Sequence, residues 1–230
     1  MRVEATFVTS VASARDWPRD LLPEVAVIGR SNVGKSSLIN ALLRERLART
    51  SAAPGKTRLA NVYRVTRTAG PAQTPVAFHL VDLPGFGFAR GKREELETIV
   101  REYFGRTEAS IGALLLIDSR HPGLHSDIEA WRWMTAAVDA AAIVATKVDK
   151  LSRAERQRAM LTNEAVFEHP VLPVSAETGE GLDELWKLID RLLNSRPRQP
   201  RHPRSSHPNP MAAPEPQPQH PRRKNSNSRR

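Results

Sequence analysis

The segment GRSNVGKS, residues 29–36, constrains this chain more than any other. It fits G-x-x-x-x-G-K-[ST], follows the apolar run EVAVIG and opens into SSLINALL. A buried strand, a glycine-rich turn and a helix in that order present backbone N–H groups to phosphate oxygens. The helix N-terminus adds partial positive charge at the same point. Lys35 is placed to reach the β- and γ-phosphates, and the Ser36 hydroxyl to bind Mg²⁺. A chance glycine-rich turn matches the letters but not the strand–loop–helix context.

Downstream, apolar runs alternate with amphipathic stretches. Strands are expected at 24–29, 60–66, 76–82, 112–118, 141–147 and 171–175. Helices are expected at about 35–46, 91–104, 124–138, 152–167 and 181–193. Several strands are continuously apolar, as in a sheet covered on both faces. Only RTAGPAQTP separates the second strand from the third, which reads as a hairpin. The expected fold is therefore an α/β three-layer sandwich, with a six-stranded, mostly parallel sheet, one antiparallel edge strand and helices on both faces. Ser152 followed by Glu155 forms a capping-box pattern at the start of one helix.

Charge sits unevenly along the 230 residues. Residues 195–230 hold nine Lys and Arg against one acid, Glu215, so +8 of the formal +10 lies there and the body carries +2. The same segment holds nine of the 18 prolines and no apolar periodicity. It is expected to be a disordered basic tail with local polyproline II character. The expected organisation is a 1–22 extension packing on the domain, a nucleotide-binding domain at 23–194 and the tail. The absence of Cys excludes disulfides, thiolate metal sites and Cys nucleophiles, and suits the cytoplasm. Glu4 and the lack of a continuous apolar stretch argue against a signal peptide, and no run reaches the roughly 18 apolar residues of a membrane span.

Which base the nucleotide carries follows from the later segments. TKVD, residues 146–149, ends a buried strand at the ligand-facing edge of an open sheet. Asp149 there can accept two parallel hydrogen bonds from guanine N1–H and its exocyclic amine, a pattern adenine reverses. The Lys147 stem can lie over the base plane, and Thr146 can tie this loop to the phosphate loop. VSA, residues 174–176, follows the next strand, with the Ala176 N–H facing guanine O6 and Ser175 supporting the loop. A P-loop ATPase or small-molecule kinase is the competing class, and these two segments speak against it.

Two further segments sense the γ-phosphate. Asp82 and Gly85 form D-x-x-G, with Asp82 holding Mg²⁺ through water and the Gly85 N–H meeting the phosphate. Thr57, in the polar stretch TSAAPGKTRLA, is the candidate second Mg²⁺ ligand. Lys35, Thr57 and Gly85 form the expected catalytic set. Many nucleotide switches place a water-orienting glutamine directly after the D-x-x-G glycine; here the residue is Phe86. Slow intrinsic hydrolysis is expected, with positioning left to backbone, bound ions or a partner.

Taken together, PEVAVIGRSNVGKSSLINALL, PGKTR, DLPGFGFA, LLLIDSRHPGLHSDIE, TKVDKL and VSAETGEGLDEL resemble the EngB family of bacterial GTPases over about residues 5–193. The resemblance implies a P-loop GTPase that binds Mg²⁺ and GTP or GDP. It further implies action in late maturation of a large ribosomal subunit precursor, and a requirement in cell division and septation. By position it carries over as nucleotide contacts Gly29, Arg30, Ser31, Asn32, Val33, Gly34, Lys35 and Ser36. It adds Gly55, Lys56, Thr57, Arg58 and Leu59, then Asp82, Leu83, Pro84 and Gly85. The base-contact loops contribute Thr146, Lys147, Val148 and Asp149, with Val174, Ser175 and Ala176. Ser36 and Thr57 carry over as Mg²⁺ ligands. In related GTPases an asparagine at the position of Asn32 can help hold a potassium ion. A monomer is expected. The tail is longer than the family's usual ending and takes no role from it. Nine cations there suit rRNA phosphates; a solubilising tail is the alternative.

Asp118, Arg120, His121, His125 and Asp127 gather after the fourth expected strand. A metal site is one reading, and a structural or partner-contact role is preferred because no second ligand cluster accompanies them. Trp131 and Trp133 point to different helix faces, so at least one belongs to the core.

Overall fold

The computed structural model describes residues 1–48, 59–68, 70, 74–86, 102–105, 111–138 and 140–195. The described residues fall within a compact unit spanning Met1–Pro197. Seven strands form one sheet: β1 (Arg2–Val11), β2 (Glu24–Gly29), β3 (Ala60–Thr68), β4 (Val76–Asp82), β5 (Ile111–Asp118), β6 (Ala140–Thr146) and β7 (Val171–Pro173). Among the described residues, four helices are seen over their full ranges: α1 (Lys35–Leu43), α2 (His125–Ala137), α3 (Arg153–Phe167) and α4 (Leu182–Leu193). The expected helix at 91–104 lies mostly outside the described residues, and only 102–104 are seen as helical.

The strand order is β1-β3-β4-β2-β5-β6-β7. β4, β2, β5, β6 and β7 pair in parallel, while β3 runs antiparallel to both β4 and β1. One correction to the sequence reading follows: among the described residues the sheet has seven strands, not six. The added strand is β1, which pairs along the outer side of β3 and makes the expected antiparallel edge.

The physical reason β1 escapes a pattern search is a bulge. Its register against β3 slips between Phe7 and Thr9. The extra residue inverts the alternation. Ala5 accordingly packs with the α1 and α4 side of the sheet, whereas Val11 packs with the α2 side. No single period-2 pattern spans such a strand.

Elsewhere the alternation sorts cleanly. Val25, Val27, Leu114, Leu116, Ala142 and Val144 meet α1 and α4, with Leu38, Leu42, Trp186 and Ile189. Ala26, Ile28, Leu115, Ile117, Ile143 and Ala145 meet the opposite layer, with Trp131, Met134 and Phe167. Each fully buried aliphatic or aromatic side chain contributes roughly 1.5–3 kcal/mol of transfer free energy. β2 and β5 are buried along their whole length, which fixes the strand ends that carry the site. The Ser152–Glu155 capping box forms, with Ser152 N–H donating to Glu155 Oε2 at 2.9 Å. Trp131 is the core residue of its pair, packed edge-on against Phe167 and His169. Among the described residues, no helix is long and apolar enough to cross a membrane.

Candidate nucleotide site

β2 ends at Gly29 and the chain turns through 30–34 into α1. Two positive-φ residues make that turn, Asn32 at 64° and Gly34 at 102°, the latter capping α1. Gly34 faces the Lys147 stem, whose Cε lies 3.5 Å from where a Cβ would stand. Val33 is buried beneath the loop, and Lys35, although charged, is only 8% exposed. Lys35 Nζ donates to Asp82 Oδ1, and Asp82 itself is 2% exposed at the end of β4. Parallel pairing of β2 with β4 sets Asp82 beside Val27, delivering the carboxylate to the foot of the phosphate loop. Ser36 is the second residue of α1. Its hydroxyl and the Asp82 carboxylate are hard oxygen donors, the chemistry that suits Mg²⁺.

The D-x-x-G segment is held against the phosphate loop by backbone. Leu83 N–H donates to the Val27 carbonyl at 3.1 Å, and Leu83 is fully buried. Phe86 N–H donates to the Gly29 carbonyl at 3.2 Å, and Ser31 N–H donates to the Phe86 carbonyl at 3.0 Å. At Gly85 a Cβ would stand 3.1 Å from Ser31 N, so a glycine lets the two loops approach. Pro84 is buried beside it.

On the other side, β6 delivers Thr146 and Lys147. The Thr146 hydroxyl lies 2.6 Å from the Val33 carbonyl and 3.1 Å from that of Ile117. The expected tie between the base loop and the phosphate loop is therefore present. Lys147 adopts a left-handed backbone, φ 61°, and its Nζ donates to the Asn32 carbonyl at 2.5 Å. Asp149 accepts the Ser175 hydroxyl at 2.7 Å, bringing the two base-contact segments together. That bond first, and then Lys150, holds the Asp149 carboxyl below its ordinary range. Val148 and Val174 are buried and joined by a 3.4 Å backbone bond, which sets Ala176 beyond them.

The expected residues 29–36, 82–85, 146–149 and 174–176 thus occupy neighbouring strand ends. Gly55, Lys56, Thr57 and Arg58 lie outside the described residues, and Leu59 is exposed, immediately before β3. Sequence reasoning singled out Asp118 but gave it a structural or partner-contact role and did not join it to this cluster. Asp118, ending β5, accepts two bonds from the Arg120 guanidinium, at 2.9 and 2.7 Å, and one from Lys147 at 2.9 Å. Burial pushes its carboxyl up, but Arg120 and Lys147 outweigh that and hold it at about 2. Its place at the end of a continuously apolar strand was the available signal, while the pairing of that strand with β6 appears only in the structure. Among the described residues, no cluster of His, Cys, Asp and Glu is set to hold a metal ion.

Comparison with known proteins agrees with this arrangement. Residues 24–163 match the family described as "50S ribosome-binding GTPase". The chain is 41% identical over 195 residues to a "Probable GTP-binding protein EngB" from Pelotomaculum thermopropionicum, covering 81% of this chain and 94% of that one. It is 40% identical over 222 residues to the protein of the same description from Symbiobacterium thermophilum, covering 82% and 95%. Among solved structures, an Aquifex aeolicus Era Y63A bound to GDP.AlF4- superposes with a TM-score of 0.61 at 24% identity, over 76% of this chain and 57% of that chain. A crystal structure of "a probable GTP-binding protein engB" gives a TM-score of 0.52 at 22% identity, over 75% and 100%. These structural likenesses speak for the fold. The sequence similarity runs through the site-bearing strands and nearly the full length of the relatives, and the chain belongs to the EngB family of P-loop GTPases.

Proposed function

We propose that this GTPase is a Mg²⁺-dependent GTP/GDP switch that acts, as a cytoplasmic monomer, on a precursor of the large ribosomal subunit. Cell division and septation depend on that step. The observation that carries the reading is the phenylalanine after the D-x-x-G glycine. Phe86 offers no group to orient water, and its backbone is bonded to the phosphate loop. Intrinsic hydrolysis is slow on this reading, and a docked partner accelerates it. The partner is supported by the family description, which names the 50S ribosome. The role in division rests on the family resemblance.

In this reading the backbone N–H groups of 30–36 and the Lys35 ammonium bind the phosphates, and Gly85 N–H meets the γ-phosphate. Asp149 selects guanine, the Lys147 stem covers the base and Ala176 N–H meets O6. Ser36 and Thr57 would hold Mg²⁺, with Asp82 holding it through water. When bound there, the ion would supply positive charge to the phosphates. Asn32 would help hold a K⁺ ion near the phosphates. Equal GTPase rates in K⁺ and Na⁺ buffers would remove that element.

Co-sedimentation with large-subunit particles tests the switch directly. Association is expected with a non-hydrolysable GTP analogue and not with GDP. Association that ignores the nucleotide, or none with either, overturns it.

A further inference from the structure

We infer that Asp118 is a positioning residue for guanine-nucleotide binding, acting through Lys147. The inference rests on the assignment of Lys147 to the base-contact loop. Lys147 is a long side chain on a left-handed backbone, and an exposed lysine stem ordinarily samples many rotamers. Here its Nζ is held at two points, the Asn32 carbonyl at 2.5 Å and Asp118 Oδ2 at 2.9 Å. Between those anchors the stem passes over Gly34, close to the position a Cβ would take. A stem stretched in that way forms a flat apolar wall at the mouth of the phosphate loop, which is what a base plane packs against.

Asp118 is itself fixed. Oδ1 accepts the Arg120 backbone N–H at 3.1 Å and Arg120 Nε at 2.9 Å, while Oδ2 is shared by Arg120 Nη2 at 2.7 Å and Lys147. Its side chain is only 10% exposed. β5 pairs with β6 so that Asp118 stands directly beside Thr146, one residue before Lys147. The carboxylate therefore sets where the ammonium rests, and the ordering cost of the lysine is met before nucleotide arrives. Asp118 touches no nucleotide atom on this account. Asp149, on its own Ser175 hydrogen bond, remains the group that distinguishes guanine.

The test is displacement of a fluorescent GDP by GDP and by IDP, which lacks the exocyclic amine. It uses full-length protein carrying Asp118→Ala, Asp118→Asn, Lys147→Ala or Asp118→Ala with Lys147→Ala. Asp118→Ala is expected to weaken both ligands about tenfold, the scale of one hydrogen bond to a charged group, and Asp118→Asn by less. The GDP-to-IDP ratio is expected to stay at the unsubstituted protein's value. In the Lys147→Ala background, Asp118→Ala is expected to add no further loss. Unchanged affinity in Asp118→Ala, an undiminished loss in the Lys147→Ala background, or a collapse of the GDP-to-IDP preference each overturns the inference. A Lys147→Ala protein that binds normally overturns the base-loop assignment as well, which separates the two failures.

Discussion

Phe86 brackets Arg30 with two backbone hydrogen bonds, donating to the Gly29 carbonyl and accepting from Ser31 N–H. The two form a parallel bridge outside the main strands. Meanwhile the Phe86 ring packs against the apolar cluster that contains Val11, Trp17 and Leu83. The residue is therefore a staple between switch and phosphate loop. Phe86→Gln should cost about 1–2 kcal/mol of stability, because a half-buried ring gives way to an amide. It should not raise basal GTP hydrolysis appreciably, since the side chain is engaged by that cluster. Urea unfolding and single-turnover hydrolysis measure both. A large rise in basal rate would show that the position does steer water.

Thr146 serves two carbonyls with one buried hydroxyl, at Val33 and at Ile117. A hydroxyl has one proton, so the shorter contact, to Val33, takes most of the bond. Thr146→Val keeps the shape and removes the donor. A loss of about 1–2 kcal/mol in stability is expected, along with several-fold weaker GDP binding, because the phosphate loop loses its tie to β6. Thr146→Ser should restore most of both. Denaturant midpoints and nucleotide titrations on the three proteins check it. Unchanged GDP affinity in Thr146→Val would show that the tie is not used for binding.

Where local pattern and tertiary role coincide, the sequence is readable. EVAVIG is a strand over 24–29 and VAFHLVD over 76–82, as their apolar runs demand. The phosphate loop and TKVD needed only their position after such strands. β1 was not readable, because its bulge at Val8 breaks the period on which strand recognition rests. Nor was the Asp118–Lys147 contact, since nothing in a single sequence says which neighbouring strand end a side chain will reach. Phe86 shows a third kind of limit. Its chemical type suggested a missing function, whereas its backbone pairing with the phosphate loop appears only once the sheet is assembled.

Asp127 introduces a pH dependence. It is 2% exposed in the first turn of α2, with Oδ1 unpartnered. Burial raises its carboxyl to about 6, opposed by Arg30 and assisted by Asp118. The folded protein thus binds this proton more tightly than the unfolded chain, whose value is near the ordinary 3.8. Stability should decline as pH rises from about 4 to about 6, and the penalty should persist above that. At the full shift it is about 3 kcal/mol. Asp127→Asn cannot ionise, so it should flatten this decline and be the more stable protein at pH 7.5. Urea midpoints at pH 4.5 and 7.5 decide. A variant less stable than the parent at pH 7.5 would mean that the charged carboxylate has a partner it needs.

The basic tail offers a prediction from charge alone. Nine cations and one acid lie in 195–230, while the rest of the chain is nearly neutral. A protein held to RNA through phosphates loses affinity with salt in proportion to the phosphates it neutralises. If the tail touches rRNA, a 1–194 protein should bind large-subunit particles more weakly than the full chain at low salt. Its plot of log affinity against log salt should also be shallower, and the two affinities should converge at high salt. GTP affinity should be the same in both, since the strand ends that carry the site lie within 24–176. Equal particle affinities and equal salt slopes would assign the tail to solubility instead.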